Sequence, residues 1–283
     1  MTLSEAYQYG KLKLSQAGIP DSDLDAWLLL EHVTGIMRAA YYADPAKEIT
    51  ITEQETYFQY IKRRAKRIPL QHITGVQEFM GLDFVVNEHV LIPRQDTECL
   101  VEAAERVLQK RMQDVPDKIK LLDMCTGSGC ILISLMKRLR LSDAAGADIS
   151  AEALKIAERN ANIHCVRPEL IESDLFAKIE GAYDVIVSNP PYIRTEVIEK
   201  LETEVGQYDP FIALDGKEDG LYFYRKIIRE SPEYLKNGGW LIMEIGFDQG
   251  EEVKQLMQAK GFKEITIATD LSGLDRVVRG SVQ

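Results

Sequence analysis

Through residue 70 the apolar positions recur at helical spacing. Leu24, Trp27, Leu28 and Val33 fall near one helix face, and Tyr57, Phe58, Ile61, Ala65 and Ile68 line another. Start and stop chemistry brackets these runs. Thr2-x-x-Glu5 and Thr52-x-x-Glu55 fit capping boxes; Gly18 and Pro20 stop the first helix, Gly35 the second and Pro69 the third. Residues 1–70 are therefore expected to form a small helical bundle. The period then changes. Phe79, Leu82, Phe84, Val86, Val90 and Leu91 stand among Gly75, Gly81 and Asn87, which predicts a β-hairpin connector over 71–95.

From 96 to 283 short apolar runs alternate with amphipathic ones. The expected strands are 119–123, 144–148, 169–172, 184–188, 240–245, 264–268 and 276–279, with helices between most of them, such as 131–139 and 151–161. Such alternation predicts an α/β domain built on a mostly parallel, doubly wound sheet.

Bulk composition adds little: 283 residues, 45% hydrophobic and 28% charged, describe a globular chain with room for a sizeable core. No apolar run approaches the roughly 20 residues of a membrane-spanning helix, and the first residues lack a basic-then-apolar leader. Cys99, Cys125, Cys130 and Cys165 make no CxxC pair, and His32, His72, His89 and His164 show no ligand spacing. The expectation is a reduced, cytoplasmic protein without a metal, acting as a monomer. Charge changes the picture more. The net charge is -11, yet residues 1–80 hold 10 acidic and 9 basic side chains, so nearly all of the excess lies beyond them. An acidic second domain repels a phosphate backbone, which argues against direct nucleic-acid binding. The basic run Lys62-Arg63-Arg64-Ala65-Lys66-Arg67 reads as a solvated helix end that complements the dipole, or as a contact for an acidic protein surface.

Two segments carry candidate chemistry. The apolar run Leu121-Leu122-Asp123 enters a small-residue loop, Cys125-Thr126-Gly127-Ser128-Gly129, and a helix follows. Glycines let a backbone approach a ligand closely. Asp148 ends the next strand, 25 residues after Asp123, where an acidic side chain suits ribose hydroxyls. Asp174 and Leu175 follow a third strand and are placed to meet the edge and face of an adenine. A GxG after a strand is weak evidence alone, and Leu132 stands where a dinucleotide fingerprint needs a third glycine, which speaks against NAD. The second segment is Asn189-Pro190-Pro191-Tyr192, after the apolar strand 184–188. Two prolines restrict the backbone, so the Asn189 side-chain oxygen and the Pro190 carbonyl are aimed with little freedom. Two such acceptors suit the two N–H donors of a planar amide or arylamine, with Tyr192 able to stack on it. An isolated Asn-Pro-Pro is more often a rigid turn; the loop 60 residues earlier is what favours a methyl-transfer site.

With these residues in view, the chain resembles the bacterial release-factor glutamine methyltransferases, the HemK or PrmC family, over nearly its full length. The resemblance runs through Pro69-Leu70-Gln71-His72-Ile73-Thr74-Gly75, Glu78-Phe79-Met80-Gly81-Leu82 and Leu91-Ile92-Pro93-Arg94-Gln95-Asp96-Thr97-Glu98. It continues through the 123–129 loop, Asn189-Pro190-Pro191-Tyr192, Asp219-Gly220-Leu221, Glu244-Ile245-Gly246 and Asp275-Arg276-Val277-Val278. It implies a class I, Rossmann-like methyltransferase domain behind a helical domain that recognises the substrate. It implies S-adenosyl-L-methionine as cofactor, S-adenosyl-L-homocysteine as product, and methylation of the glutamine N5 in the Gly-Gly-Gln motif of class I peptide chain release factors. Carried over, Cys125, Thr126, Gly127, Ser128, Gly129, Asp148, Asp174, Leu175 and Asn189 contact the cofactor, and Asn189, Pro190, Pro191 and Tyr192 contact the substrate. Asn189, Pro190 and Tyr192 form the catalytic set. Cys125 replaces a frequent Gly, Gln95 a common Pro, Leu175 an occasional Trp, and Tyr208-Asp209-Pro210-Phe211 a more usual Glu-Pro pairing. The alternative, methylation of adenine in DNA or RNA, shares the Asn-Pro-Pro-Tyr chemistry but meets the acidic charge balance.

Overall fold

The computed structural model describes residues 1–114 and 119–283. The chain divides into two units, Met1–Val76 with Glu202–Tyr208, and Gln77–Leu201 with Asp209–Gln283.

The first unit is built from α1 (Leu3–Gln16), α2 (Ser22–Thr34), α3 (Arg38–Ala43), α4 (Ile51–Arg64) and α5 (Leu70–Thr74). Leu3, Leu14, Leu29, Leu30, Tyr57 and Ile61 fill its core. The Thr2–Glu5 capping box closes as the sequence predicts. The second box forms two residues earlier than expected, between Thr50 and Glu53. Both pairs have the same spacing; the helix takes the frame that starts at Ile51. Within the basic run, Arg64 is buried between Asp25 at 2.6 Å and Glu204 at 3.0 Å, and Arg67 reaches Glu204 at 2.8 Å. These two arginines tie the segment Glu202–Tyr208 to the helices, while Lys62, Arg63 and Lys66 remain exposed.

The hairpin β1 (Val76–Phe79) and β2 (Leu82–Val85) turns on Met80 and Gly81, both at positive φ (53° and 77°). That is the mirror-image turn that matches the right-handed twist of paired strands. A seven-stranded sheet follows, made of β3 (Lys120–Met124), β4 (Asp143–Asp148), β5 (Glu169–Glu172), β6 (Tyr183–Ser188), β7 (Leu235–Glu244), β8 (Lys263–Thr269) and β9 (Asp275–Ser281). Its order is β5-β4-β3-β6-β7-β9-β8. The strands from β5 to β7 are parallel, and β9 runs antiparallel to both β7 and β8. The helices are α6 (Glu98–Asp114), α7 (Cys130–Leu139), α8 (Ala151–Ile163), the single turns α9 (Thr195–Ile198), α10 (Thr203–Gly206, part of the first unit) and α11 (Phe211–Leu214), then α12 (Tyr222–Glu230) and α13 (Gly250–Lys260).

Alternation along the central strands sends side chains to two cores. Leu121, Val185 and Val187 pack with Leu100, Leu108, Leu132 and Leu135 from α6 and α7. Leu122, Met124 and Ile186 pack with Tyr224, Ile227, Val253 and Met257 from α12 and α13. Burial on both faces is why these strands read as unbroken apolar runs. β7 begins five residues before the expected 240. Asn237-Gly238-Gly239 reads as a turn, and Gly238 does take φ 70°, but Leu235 still pairs with Tyr183 across an irregularity. Among the described residues no helix is long and apolar enough to cross a membrane.

This strand order positions the site. The chain leaves β3 toward β4 and β5, then returns to place β6 on β3's other side. Such a reversal opens a crevice at the carboxyl ends of the two strands.

Candidate active site

Met124 and Ser188 are paired at the ends of β3 and β6, so the loop at 125–129 and the Asn189-Pro190-Pro191-Tyr192 segment leave the sheet side by side. The Ser188 hydroxyl donates to the Met124 carbonyl at 2.7 Å and joins the two exits. The first loop position keeps a glycine-like conformation although it is a cysteine: Cys125 sits at φ 63°. A side chain held there costs roughly 1–2 kcal/mol. Gly127 (φ 55°) has nothing within 4 Å of where a Cβ would stand, so its backbone faces open space. Gly129 (φ 77°) faces inward; a Cβ there would meet Ile133 at 3.0 Å and Ala157 at 3.2 Å. Asp148 holds the loop, with Oδ2 accepting from the Gly127 N–H and Oδ1 from the Ser150 N–H, each at 2.9 Å. Burial raises its pKa, against those N–H bonds.

The crevice opens about 1010 Å³ of space, part of it continuous with solvent. Cys125, Thr126, Gly127, Ser128, Asp148, Asp174, Leu175, Asn189 and Pro191 all line it. Gly129, Pro190 and Tyr192 do not: Gly129 packs on α8, Pro190 is buried, and the Tyr192 hydroxyl turns to the Glu244 Oε1 at 3.1 Å. Leu175 is buried at φ 48°, its carbonyl taken by the Ser173 hydroxyl at 2.7 Å.

Thr97, which with Glu98 reads in the sequence as helix-start chemistry that also borders a cofactor, lines the crevice, and its hydroxyl accepts from Asn189 Nδ2 at 3.3 Å. That contact turns the NH2 end of the Asn189 amide toward Thr97 and leaves its oxygen for the crevice. Pro93, Arg94, Pro210, Ile212 and Phe223 complete the wall. Tyr192 is clamped at three points. Beyond its hydroxyl, its carbonyl accepts from Gln249 Nε2 at 3.0 Å, and its backbone passes so close to Gly216 and Gly220 that a Cβ on either would fall within 2.7 Å of it. Gly220 is what Asp219-Gly220-Leu221 contributes, and Gln249 what the loop after Glu244 contributes. Glu244 itself is 2% exposed. Burial pushes its carboxyl up to about 7, opposed first by the Thr97 hydroxyl, then by Arg276 and Tyr192.

Residues 5–75 match the PrmC N-terminal domain, and residues 98–207 the methyltransferase small domain. The release factor glutamine methyltransferase of Geobacter sulfurreducens is 41% identical over 282 residues, covering 99% of this chain and 97% of that relative. The Caulobacter vibrioides protein of the same name is 38% identical, covering 99% and 96%. Among solved structures, the hMettl16 catalytic domain in complex with MAT2A 3′UTR hairpin 6 superposes with a TM-score of 0.59 at 14% identity, covering 83% of this chain and 87% of that one; the likeness is one of fold.

Proposed function

The chain belongs to the release factor glutamine methyltransferase family, and from that premise we propose that it moves a methyl group from S-adenosylmethionine to the side-chain amide nitrogen of the Gly-Gly-Gln glutamine in class I release factors. One observation carries the reading. Asn189 stands at the switch point beside the 125–129 loop, with its amide nitrogen engaged by Thr97 and its oxygen left to the crevice.

The residues present fit the cofactor. Gly127 offers backbone open to a ligand, Asp148 and Asp174 bring carboxylates to the strand ends, and Ile131, Leu175 and Ala153 give apolar wall. S-adenosylmethionine supplies a methyl group that is already electrophilic. The protein's task is then to bind, orient and exclude water. A glutamine amide is a poor nucleophile because its lone pair is delocalised. The Asn189 side-chain oxygen accepts one of its N–H groups and orients the nitrogen; Pro190, expected to supply the second acceptor, is buried outside the crevice lining, while Pro191 forms the adjoining wall and Tyr192 braces the segment. Orientation of this kind contributes about 7–11 kcal/mol. A methylated amide nitrogen is acidic and sheds its proton readily, so the reading requires no dedicated general base. The helical unit, with Lys62, Arg63 and Lys66 exposed, holds the release factor.

Mass spectrometry of a purified release factor after incubation with this protein and S-adenosylmethionine tests the reading. One added methyl on the Gly-Gly-Gln glutamine is expected. No gain on any release factor sinks the substrate assignment, and transfer to adenine in DNA or RNA instead establishes the alternative.

A further inference from the structure

Charge is unevenly spread around the crevice. Its carboxylates, Asp148 at the end of β4 and Asp174 just past β5, stand on one side; among the described residues, Arg94 is the only arginine or lysine that lines the space. His89, the other lining side chain able to carry positive charge, is exposed beside Val90, which packs against Ala153 of α8 on the Asp148 side. Arg94 belongs to the opposite side. Thr97, on the same short segment, accepts from Asn189 Nδ2 at 3.3 Å, so this wall runs past the end of β6. The Arg94 guanidinium is fixed from outside the crevice. Its Nη2 donates to Asp209 Oδ2 at 2.5 Å; the Asp209 side chain is fully buried and does not line the space, whereas that of Arg94 is 43% exposed. No other hydrogen bond of the guanidinium is made among the described residues. Its planar fork carries several further N–H donors, and these are left for the crevice.

We propose that Arg94 binds the aminoacyl carboxylate of S-adenosylmethionine and of S-adenosylhomocysteine, and that Asp209 holds its guanidinium ready. The inference rests on the methyl-transfer reading, which puts the transferred methyl at Asn189 and the adenosine at Asp148 and Asp174. The carboxylate hangs by a short carbon chain from the same sulfur that bears the methyl. It therefore falls along the wall beside Asn189, away from the two acidic side chains. An anion moved there from water loses hydration and needs a charged partner. The neighbouring wall of Leu91, Pro93, Pro191 and Pro210 offers none. A guanidinium fork matches the two oxygens of a carboxylate better than a point charge does. Asp209 offsets part of the Arg94 charge, yet it orders the side chain in advance, so little rotamer freedom is lost when the ligand arrives.

Calorimetric titration compares S-adenosylhomocysteine with its decarboxylated analogue, which keeps the adenosine, sulfur and amine and lacks only the carboxylate. Both are titrated into the wild-type chain, Arg94→Gln and the double variant Arg94→Gln/Asp209→Asn, in which no buried anion is left unpaired. The wild-type chain is expected to prefer S-adenosylhomocysteine by about ten- to hundredfold, the scale of a charge-assisted contact. Arg94→Gln and the double variant are expected to lose that preference, because S-adenosylhomocysteine weakens by the same factor while the decarboxylated ligand binds within about twofold of wild type. Retained affinity for the decarboxylated ligand shows at the same time that the crevice is intact. Unchanged affinity for S-adenosylhomocysteine in Arg94→Gln overturns the proposal, and with a raised KM for the release factor it assigns Arg94 to the protein substrate. An equal loss for both ligands overturns it in favour of a role in shaping the wall. Recovery in the double variant overturns it by tracing the loss to a stranded Asp209. These titrations use no release factor, so a chain that methylates none fails the substrate reading and leaves this result to be judged by itself.

Discussion

The two ends of the parallel strands both bury carboxylates, and treat them oppositely. At the start of β6, Asp184 is 1% exposed but lies near the rim of the sheet, where Arg111 reaches it at 3.0 Å, Lys236 at 2.7 Å and the Lys120 N–H at 2.8 Å. Burial alone would raise its pKa; Lys236, the Lys120 N–H and Arg111 together hold it below the ordinary range. At the carboxyl ends, Asp123 and Glu244 are buried as completely with fewer partners. Asp123 accepts from the Thr126 hydroxyl at 2.6 Å, while its Oδ1 has no partner of full geometry among the described residues. Burial pushes each of these two up to about 7. One end spends its charges on holding strands together. The other keeps polar groups under-satisfied where a ligand crevice opens, as functional sites tend to do.

The comparison breaks first at Asn189. Asn189→Ala removes an acceptor from the crevice without touching a core. It is expected to lower kcat by about 10²–10³-fold, the scale of losing one oriented hydrogen-bonding group, with the melting temperature nearly unchanged in a thermal scan. At the opposite end Asp184→Ala should invert that pattern. It leaves Arg111 and Lys236 without their anion and is expected to cost about 2–4 kcal/mol in denaturant unfolding, toward the low end because Lys236 is partly exposed. Turnover measured below the melting transition should persist. A large loss of turnover with unchanged stability in Asp184→Ala would erase the distinction between the two ends.

Acidity sharpens the contrast, because the two ends respond to pH with opposite sign. Glu244 and Asp123 titrate above their ordinary values of 4.5 and 3.8. The folded chain holds their protons longer than the unfolded chain, so their contribution to stability is greatest in acid and declines as pH rises to about 7. Asp184 titrates below 3.8, so its contribution is present above that value and lost as pH falls through the lowered pKa. Glu244→Gln and Asp123→Asn are each expected to gain stability relative to wild type between pH 5 and pH 8, on the order of 1–3 kcal/mol. Asp184→Asn should lose stability at pH 8 and converge on wild type in strong acid. Arg276, Tyr192, Asp96 and Tyr224 face the Glu244 carboxyl and set where it titrates.

The readable and unreadable parts of the site follow the same division. The strands at 119–123 and 184–188 and the Gly and Pro segments after them are local patterns, and their positions follow from periodicity and turn chemistry alone. The segment 94–98 carries no such period, because four of its five residues answer partners elsewhere in the chain. Arg94 pairs with Asp209 at 2.5 Å, Asp96 with Arg276 at 3.3 Å, and Thr97 with Asn189, while Glu98 accepts from the Met80 N–H at 2.7 Å. Spacing cannot express partners up to 180 residues apart, so beyond the helix-start chemistry of Thr97-Glu98 this segment spoke through family resemblance. Glu244, at a strand end, reads either as orienting a loop near the site or as serving the fold alone, and its partner Tyr192, 52 residues away, is likewise invisible to spacing. Cys125 is a different case. The sequence leaves open whether the loop gives up the glycine conformation there, and only the packing of Met124 and Ser188 around the exit shows that it does not.

The smallest test concerns the two loop glycines, which have similar φ and opposite surroundings. Gly129→Ala drives a methyl against Ile133 and Ala157 where α7 starts. It adds overpacking to the left-handed penalty and is expected to cost about 2–3 kcal/mol of stability. Gly127→Ala meets nothing within 4 Å and should cost only about 1 kcal/mol. Its methyl points into the open space of the crevice, however, so its main effect should be on affinity for S-adenosylhomocysteine, read by calorimetric titration. Stability and affinity thus separate on two glycines two residues apart. Equal losses of affinity in both variants would mean that the loop moves as one body and that only its overall position, not the open backbone at Gly127, serves the ligand.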